Sequence, residues 1–327
     1  MTGASETEAS RRSDRRNDAE STRAAVVFEY SQTGQLIESV DALVAPLVAA
    51  NWQVRRVRVE PASPFPFPWP VTRFFGAFPA CVDEECTVAL STPAEQLRSE
   101  PGELVLFAYQ VWYLAPSLPA RTLLTRHREI FAERDVVTVV ACRNMWYSAA
   151  GEVHRRLTAV GARTVGAVAA IDTRPQAITL VTTLRWLLLG RREGALFGRA
   201  GVGTDELSRL AALGAEISAT KSSDDLATVL RDADAAPVVP LLAAADLLAG
   251  SVFRRWGAGI RRASEYGVAA RVAALTAFVG SLGVAIAVGF PALALARLLG
   301  RERFDRVVGT RLDRVLGRSA MSVGASS

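Results

Sequence analysis

Two short apolar segments constrain the fold of this sequence more than any other feature. They are Leu104–Tyr109 and residues 136–142, and each is apolar at nearly every position. Such continuous patterns are typical of strands whose sheet is covered on both faces, the usual state of parallel sheets flanked by helices. The chain is therefore expected to form an α/β domain.

Three other segments complete an alternation of strands and helices. An apolar strand begins near residue 26, residues 53–59 alternate between apolar and polar, and residues 164–171 supply a fifth strand. Helical spacing is predicted over residues 36–48, 119–131 and 149–160. Five strands with a polar turn after the first predict a flavodoxin-like, doubly wound sheet of order 2-1-3-4-5, with its ligand above strands one and three.

Composition changes along the chain divide it into five predicted regions. Residues 1–23 are polar and charged, without the apolar core of a signal peptide, and predict a disordered extension. The sheet domain is expected over residues 24–172 and a helical extension over 173–235. Membrane-associated helices are expected over 236–318, followed by a disordered tail over 319–327.

The loop after the first strand is the main candidate for ligand binding. It contains Ser31, Gln32, Thr33, Gly34 and Gln35, and it leads into a helix. Backbone amides and short hydroxyls at a helix N-terminus favour an anion. The loop holds no lysine and matches neither a P-loop nor GxGxxG, so the phosphate of FMN is the expected ligand, as in flavodoxins. The alternative is that the turn only caps the helix.

Two aromatic loops are expected beside this phosphate loop. Trp112 and Tyr113 follow the third strand, while Arg143, Asn144 and Trp146 follow the fourth. The aromatic rings would frame the flavin, Asn144 would bind its pyrimidine edge, and Arg143 would stabilise an anionic reduced ring or a substrate oxyanion. The alternative is that the two tryptophans cap the sheet and that Arg143 faces solvent.

A proline-rich aromatic segment, residues 61–81, lies between strands two and three. Its alternating prolines disfavour both helix and central strand, and its many aromatic rings are costly to expose. Three roles stay open for this segment: packing on the domain, a lid over the flavin, or a wall of an acyl-chain channel.

Residues 272–296 are 25 consecutive positions without a charge, which is long enough to cross a hydrocarbon core of about 30 Å. They predict a transmembrane segment, with a buried core helix or a dimer seam as the alternatives. Arginines flank both ends, so the positive-inside rule favours the cytoplasm for both flanks. A single span and a shallow re-entrant hairpin are therefore both open.

Charge and cysteine usage exclude several other classes of protein. The formal net charge is +5, but the arginines cluster at the two ends and around residues 254–271 and not in one motif, so nucleic-acid binding is not expected. Cys81, Cys86 and Cys142 form no CxxC motif, and the chain has only two histidines. Neither a metal site nor a disulfide framework is therefore expected.

The chain resembles a flavodoxin-like family found beside the ketosynthases of dialkylresorcinol biosynthesis and often labelled dialkylresorcinol condensing enzyme. The motifs that carry the resemblance are YSQTGQL (30–36), PFPFPWP (64–70), YQVWYLAPSLP (109–119), CRNMW (142–146), LRW (184–186) and the basic aromatic stretch after Ser251. The resemblance implies a role in converting two joined acyl chains into a 1,3-dihydroxy aromatic lipid.

Condensation itself needs a nucleophilic cysteine surrounded by histidines, which this chain does not supply. The leading hypothesis is therefore an FMN-dependent oxidoreductase that aromatises a cyclohexanedione-type dialkyl ring at the cytoplasmic face of the membrane. Its expected partners are a lipid-like substrate, the membrane and, as a candidate, the ketosynthase. The alternatives are an FMN-dependent NAD(P)H:quinone reductase, a membrane-tethered electron carrier and a scaffold without catalytic activity.

Overall fold

A computed structural model, which describes residues 23–316, contains a five-stranded parallel sheet. The strands are β1 (Ala24–Glu29), β2 (Gln53–Arg58), β3 (Leu104–Tyr109), β4 (Val111–Trp112), β5 (Ala115–Pro116), β6 (Asp135–Cys142) and β7 (Arg163–Ile171). The sheet order is β2-β1-β3-β6-β7, and β4 and β5 form a separate antiparallel hairpin. Without the hairpin this is the predicted order, so the α/β class and the strand order are confirmed.

Helices connect the strands and continue beyond the sheet. They are α1 (Gln35–Ala49), α2 (Val71–Cys81), α3 (Leu118–Arg126), α4 (Tyr147–Ala159), α5 (Gln176–Leu189), α6 (Thr204–Ala219), α7 (Ser223–Asp232), α8 (Pro240–Ser264), α9 (Val268–Val284), α10 (Phe290–Leu299) and α11 (Arg301–Val315). Of the predicted disordered termini, residues 1–22 and 319–327 lie outside the described residues.

Helices cover both faces of the sheet. Val26 and Phe28 of β1 point to one face, which is covered by α3, α4, α8 and α11. Ala25 and Val27 point to the other face, which is covered by α1, α6 and α7. The alternation follows from the period of two along a strand. The two segments predicted as extensions, 173–235 and 236–318, therefore both contribute helices to the layers that enclose the sheet.

A buried carboxylate joins α8 to the start of α4. The Oδ2 of Asp246 accepts a hydrogen bond from the backbone amide of Tyr147 at 3.2 Å, and its Oδ1 accepts one from the amide of Ser148 at 2.8 Å. These are two of the amides at the N-terminus of α4 that have no partner within the helix. Asp246 therefore caps a helix that lies almost 100 residues earlier in the chain.

The Asp246 carboxyl is also expected to make stability depend on pH. Burial raises its pKa to about 6, although hydrogen bonds from Ser148 and Tyr147 oppose the rise. Since this pKa exceeds the unfolded value of about 3.9, the stabilisation from this group is full below about pH 4 and is lost as the pH rises through about 6. Relative to Asp246→Asn, we expect the wild type to lose about 3 kcal/mol of unfolding free energy over that range. Urea unfolding of both proteins at a series of pH values measures this, and parallel curves would contradict it.

A buried ion pair fixes α2, the second half of the proline-rich segment and a helix that its prolines did not predict, against the sheet domain. Arg121 of α3 donates from Nε to Oε1 of Glu152 on α4 at 2.7 Å. Its Nη2 and Nη1 also donate to the carbonyls of Cys81 and Asp83, at 2.7 and 2.8 Å. The end of α2 is thus held by a cation whose own charge is compensated, which favours a single position for the segment.

The predicted transmembrane segment, residues 272–296, lies within one unbroken helix. This helix runs over Val268–Leu299 and consists of α9, the π-helical segment Ala285–Gly289 and α10. Its 32 residues make it long and apolar enough to cross a bilayer. Only 6% of the most apolar stretch is buried. Apart from Phe278, which is buried against Phe78, the helix therefore lies outside the core that encloses the sheet.

Candidate functional site

The loop after β1 lies at the carboxyl edge of the sheet, where the strand order reverses. Gly34 adopts a left-handed conformation, with φ of 82°, and precedes α1 without a side-chain cap. The first amides of α1 have no partner within the helix, and a Cβ on Gly34 would meet nothing within 4 Å. The hydroxyl of Ser31 is buried and has no hydrogen-bond partner among residues 23–316. These donors belong to one short turn, called here the cradle, whose chemistry suits an anion.

Gln32, the second predicted phosphate residue, is occupied by contacts within the protein. Its backbone amide donates to Oε1 of Gln110 at 3.1 Å, and its side-chain Nε2 donates to the carbonyl of Pro66 at 2.7 Å. Its Oε1 accepts from the indole of Trp69 at 2.9 Å. Gln32 therefore connects the loop to β3 and to the proline-rich segment, and its side chain supports the cradle from outside.

Gln35 has a similar supporting role. Its Oε1 accepts a hydrogen bond from the backbone amide of Val202 at 3.3 Å. A Cβ at Gly201, which has φ of 92°, would lie only 1.9 Å from the same oxygen, so this position requires glycine. The side chains of Ser31 and Thr33 make no hydrogen bond to the described part of the protein, and Gly34 has no side chain. These three of the five predicted phosphate residues are therefore not occupied by side-chain hydrogen bonds within that part of the protein.

Trp112 lies beside this loop in a cluster of aromatic rings. Its ring centroid is 5.9 Å from that of Tyr30, 4.8 Å from that of Phe65 and 5.9 Å from that of Trp69. Tyr30 immediately precedes Ser31, so Trp112 and the cradle are neighbours through the chain. The structure thus brings together the phosphate loop and one of the predicted ring-framing residues.

The hairpin turn directs Tyr113 away from the cluster. Tyr113 and Leu114 both have positive φ, 51° and 65°, as the two central residues of a tight hairpin require. The hydroxyl of Tyr113 donates to the carbonyl of Phe74 at 2.5 Å, and its ring packs at 5.3 Å from those of Phe74 and Phe78. Tyr113 therefore packs against α2.

The loop after β6 is largely buried. Asn144, with φ of 91°, accepts a hydrogen bond on Oδ1 from the hydroxyl of Tyr147 at 3.3 Å. Trp146 is fully buried and stacks on Tyr147 with ring centroids 4.9 Å apart. Its indole Nε1 is buried and has no acceptor among the described residues. Asn144 and Trp146 thus belong to the protein interior at this edge of the sheet.

Arg143 is a partly buried cation at the same edge. Its Nη1 donates to the carbonyl of Gln176 at 3.4 Å, and no carboxylate forms an ion pair with it within the described part of the chain. Burial lowers its pKa, while the nearby groups of Cys142 and Asp172 act in the opposite direction. The guanidinium is therefore a candidate partner for an anionic ligand.

Several contacts at the site were not predicted from the sequence. The carboxylate of Glu38, in the first turn of α1, accepts a hydrogen bond from Nη2 of Arg192 at 2.6 Å. The guanidinium of Arg192 also lies 4.5 Å from the centroid of the Trp186 ring, a cation–π contact. The hydrogen bond with Arg192 lowers the pKa of Glu38. The LRW motif contains Trp186. No local pattern indicates that Arg192 pairs with Glu38, which lies 154 residues away in the chain.

Two cavities lie close to this edge. One, of about 480 Å³, is polar and includes Arg56 paired with Glu29 at 2.7 Å. The other, of about 600 Å³, lies against the proline-rich segment. In the part of the chain that the structure describes, no group of three His, Cys, Asp or Glu side chains could hold a metal ion.

No family model matches the chain, and no curated protein sequence matches it. Residues 23–316 form a five-stranded parallel α/β protein with one long, exposed apolar helix, and the loop after β1 is its candidate anion site.

Proposed function

We propose that this chain is an FMN-dependent oxidoreductase with a flavodoxin-like fold, attached to the cytoplasmic face of the membrane and acting on a lipid-like ring. The observation that carries the proposal is the cradle after β1. It combines an uncapped helix N-terminus, a left-handed glycine and a buried hydroxyl without a partner, at the edge where open α/β sheets bind ligands.

The residues of the cradle fit the phosphate of FMN. Ser31 and Thr33 supply hydroxyls, Gly34 allows close approach, and the dipole of α1 favours the negative charge. Trp112 offers one aromatic face beside the cradle. Bound there, FMN would supply reversible two-electron redox chemistry.

Arg143 is the residue to which we assign an electrostatic role. An unpaired, partly buried guanidinium favours negative charge on a ring placed against it, because low solvent exposure strengthens the interaction. Asn144 and Trp146 position the loop that carries it, through the hydrogen bond and the stacking contact with Tyr147.

The proposed substrate comes from the resemblance to the dialkylresorcinol-associated family. A cyclohexanedione carrying two alkyl chains must lose two hydrogens to become a 1,3-dihydroxy aromatic ring. Such a product is a lipid, which agrees with an apolar helix on the same chain, and a ketosynthase remains the candidate partner.

Contacts at both ends favour attachment of the apolar helix to one leaflet instead of a crossing. Near its start, Arg271 donates to the carbonyl of Gly76 at 3.1 Å, and Phe278 stacks on Phe78 at 4.0 Å. After its end, α11 returns and buries Leu312 in the core of the sheet domain. A domain on one side of a bilayer cannot hold both ends of a spanning helix, which supports a helix embedded in a single leaflet.

The oxidoreductase proposal is tested by spectroscopy and anaerobic mixing. We expect purified protein to show a flavin spectrum, which bleaches on addition of a dialkyl cyclohexane-1,3-dione without oxygen. Arg143→Gln should slow bleaching by at least about tenfold, since it removes one charged contact, while flavin content is unchanged. Protein that neither contains nor binds FMN contradicts the proposal. Bleaching only by NAD(P)H, with turnover of quinones, would favour the quinone reductase.

A further inference from the structure

A groove of about 600 Å³ lies between the proline-rich segment and the start of α9. Its volume is within the range of small-molecule sites. The lining residues that matter for its chemistry are Phe65, Trp69, Arg73, Val88, Ala89 and Arg271.

The walls of the groove are apolar. The ring centroids of Phe65 and Trp69 lie 5.9 Å apart. Val88 and Ala89, from the loop that follows α2, also line the groove. The indole N–H of Trp69 already donates to Gln32, so the tryptophan presents no free donor to the groove. A hydrocarbon chain therefore finds contact area here without leaving a polar group unpaired.

Two arginines give the same groove an uncompensated positive charge. Arg73 is exposed and makes no ion pair or hydrogen bond with any residue in 23–316, while Arg271 donates only to the carbonyl of Gly76. None of the lining residues is acidic. Guanidinium groups in this state favour an anionic oxygen ligand.

The position of the groove connects the membrane helix with the cradle. Arg271 belongs to the first turn of α9, so one end of the groove adjoins the base of the apolar helix. Trp69 and the neighbouring Pro66 both bind Gln32 of the loop after β1. The groove therefore lies between the base of the apolar helix and residues that contact the loop after β1.

We propose that the groove binds an amphiphile with an anionic oxygen head, the head within reach of Arg73 and Arg271 and one alkyl chain along Phe65 and Trp69. The interpretation of the groove as a substrate site rests on the proposed function. A cyclohexane-1,3-dione fits the description, because its enol is acidic and its negative charge is shared by two oxygens.

The test is a competition experiment on the full chain, without added FMN. A dansyl-labelled undecanoate serves as the fluorescent probe, and dodecanoate and dodecanol compete with it. We expect dodecanoate to displace the probe at a concentration at least about tenfold lower than dodecanol does. Arg73→Gln and Arg271→Gln should each weaken binding of dodecanoate about tenfold and leave dodecanol unchanged.

Two further variants distinguish binding in the groove from non-specific hydrophobic binding and from misfolding. Arg303→Gln, an exposed arginine of α11, is the matched control and should change neither competitor. Ala89→Trp fills the groove from an exposed position and should weaken both competitors. Equal displacement by acid and alcohol, or equal effects of Arg73→Gln and Arg303→Gln, would overturn the inference.

The result is distinguishable from the outcome for FMN. A protein that binds no FMN yet prefers the acid through Arg73 and Arg271 contradicts the oxidoreductase and supports the groove. A flavoprotein that shows no such preference overturns the groove alone.

Discussion

Replacing Thr33 with glutamate is expected to abolish binding of FMN. The new carboxylate would lie in the cradle formed by Ser31, Gly34 and the first amides of α1, where the phosphate is proposed to bind. Two like charges about 4 Å apart repel by about 4 kcal/mol at an effective dielectric constant of about 20. Loss of affinity by at least about 100-fold should follow, measured by quenching of FMN fluorescence.

The matched control is Thr204→Glu. Thr204 is the exposed first residue of α6, so the same substitution adds the same charge at another helix N-terminus, where acidic residues are favourable. The affinity of Thr204→Glu for FMN should equal that of the wild type. The milder variant Ser31→Ala removes one hydroxyl and should weaken binding about tenfold. Unchanged affinity in Thr33→Glu would place the phosphate elsewhere.

The strands were predictable because their evidence is local, and their order followed from the rule for doubly wound sheets. Residues 104–109 and 136–142 are apolar at consecutive positions, and only a strand covered on both faces favours that pattern. Which helices cover the faces was not predictable. The cap from Asp246 to the amides at Tyr147 and Ser148 joins residues almost 100 positions apart, and no periodicity encodes such a pair.

The site was predictable in part for a similar physical reason. A strand, a short polar turn and a helix must expose helix amides at the sheet edge, so the position of Ser31 and Gly34 follows from the pattern. Whether an aromatic side chain faces a cleft or the core depends on its neighbours in space. Trp112 lies beside the loop, whereas Trp146, in an equivalent position after the next strand, stacks on Tyr147 in the interior.

Two aspartates in the middle of the apolar helix are expected to release the protein from membranes. Ile286 and Val288 are 52% and 63% exposed, so Ile286→Asp with Val288→Asp removes no contact with the sheet domain. Each substitution replaces an apolar side chain, whose burial in lipid contributes about 1.5–3 kcal/mol, with a charge on the helix proposed to lie in one leaflet. Cosedimentation with phosphatidylcholine and phosphatidylglycerol vesicles should therefore weaken by at least about 100-fold.

The control for this variant places the same charges on exposed apolar residues elsewhere. Val48 and Leu196 are 54% and 71% exposed and lie outside α9 and α10, so Val48→Asp with Leu196→Asp should leave vesicle binding unchanged. Point substitutions are preferable to truncation near Pro237, because truncation also removes Asp246 and the cap of α4. If full-length protein does not sediment with either vesicle, membrane attachment itself is contradicted.

The same helix is expected to keep both of its flanks in the cytoplasm. Exposed arginines precede it at Arg254 and Arg255 and follow it at Arg301 and Arg303, and the positive-inside rule then favours the same side for both ends. In a Cys86→Ser background, Ser264→Cys and Thr310→Cys place thiols at exposed positions on the two flanks. A membrane-impermeant maleimide should label neither in intact spheroplasts and both after lysis, because both ends contact the sheet domain. Labelling of one flank in intact spheroplasts would mean that the helix crosses the membrane.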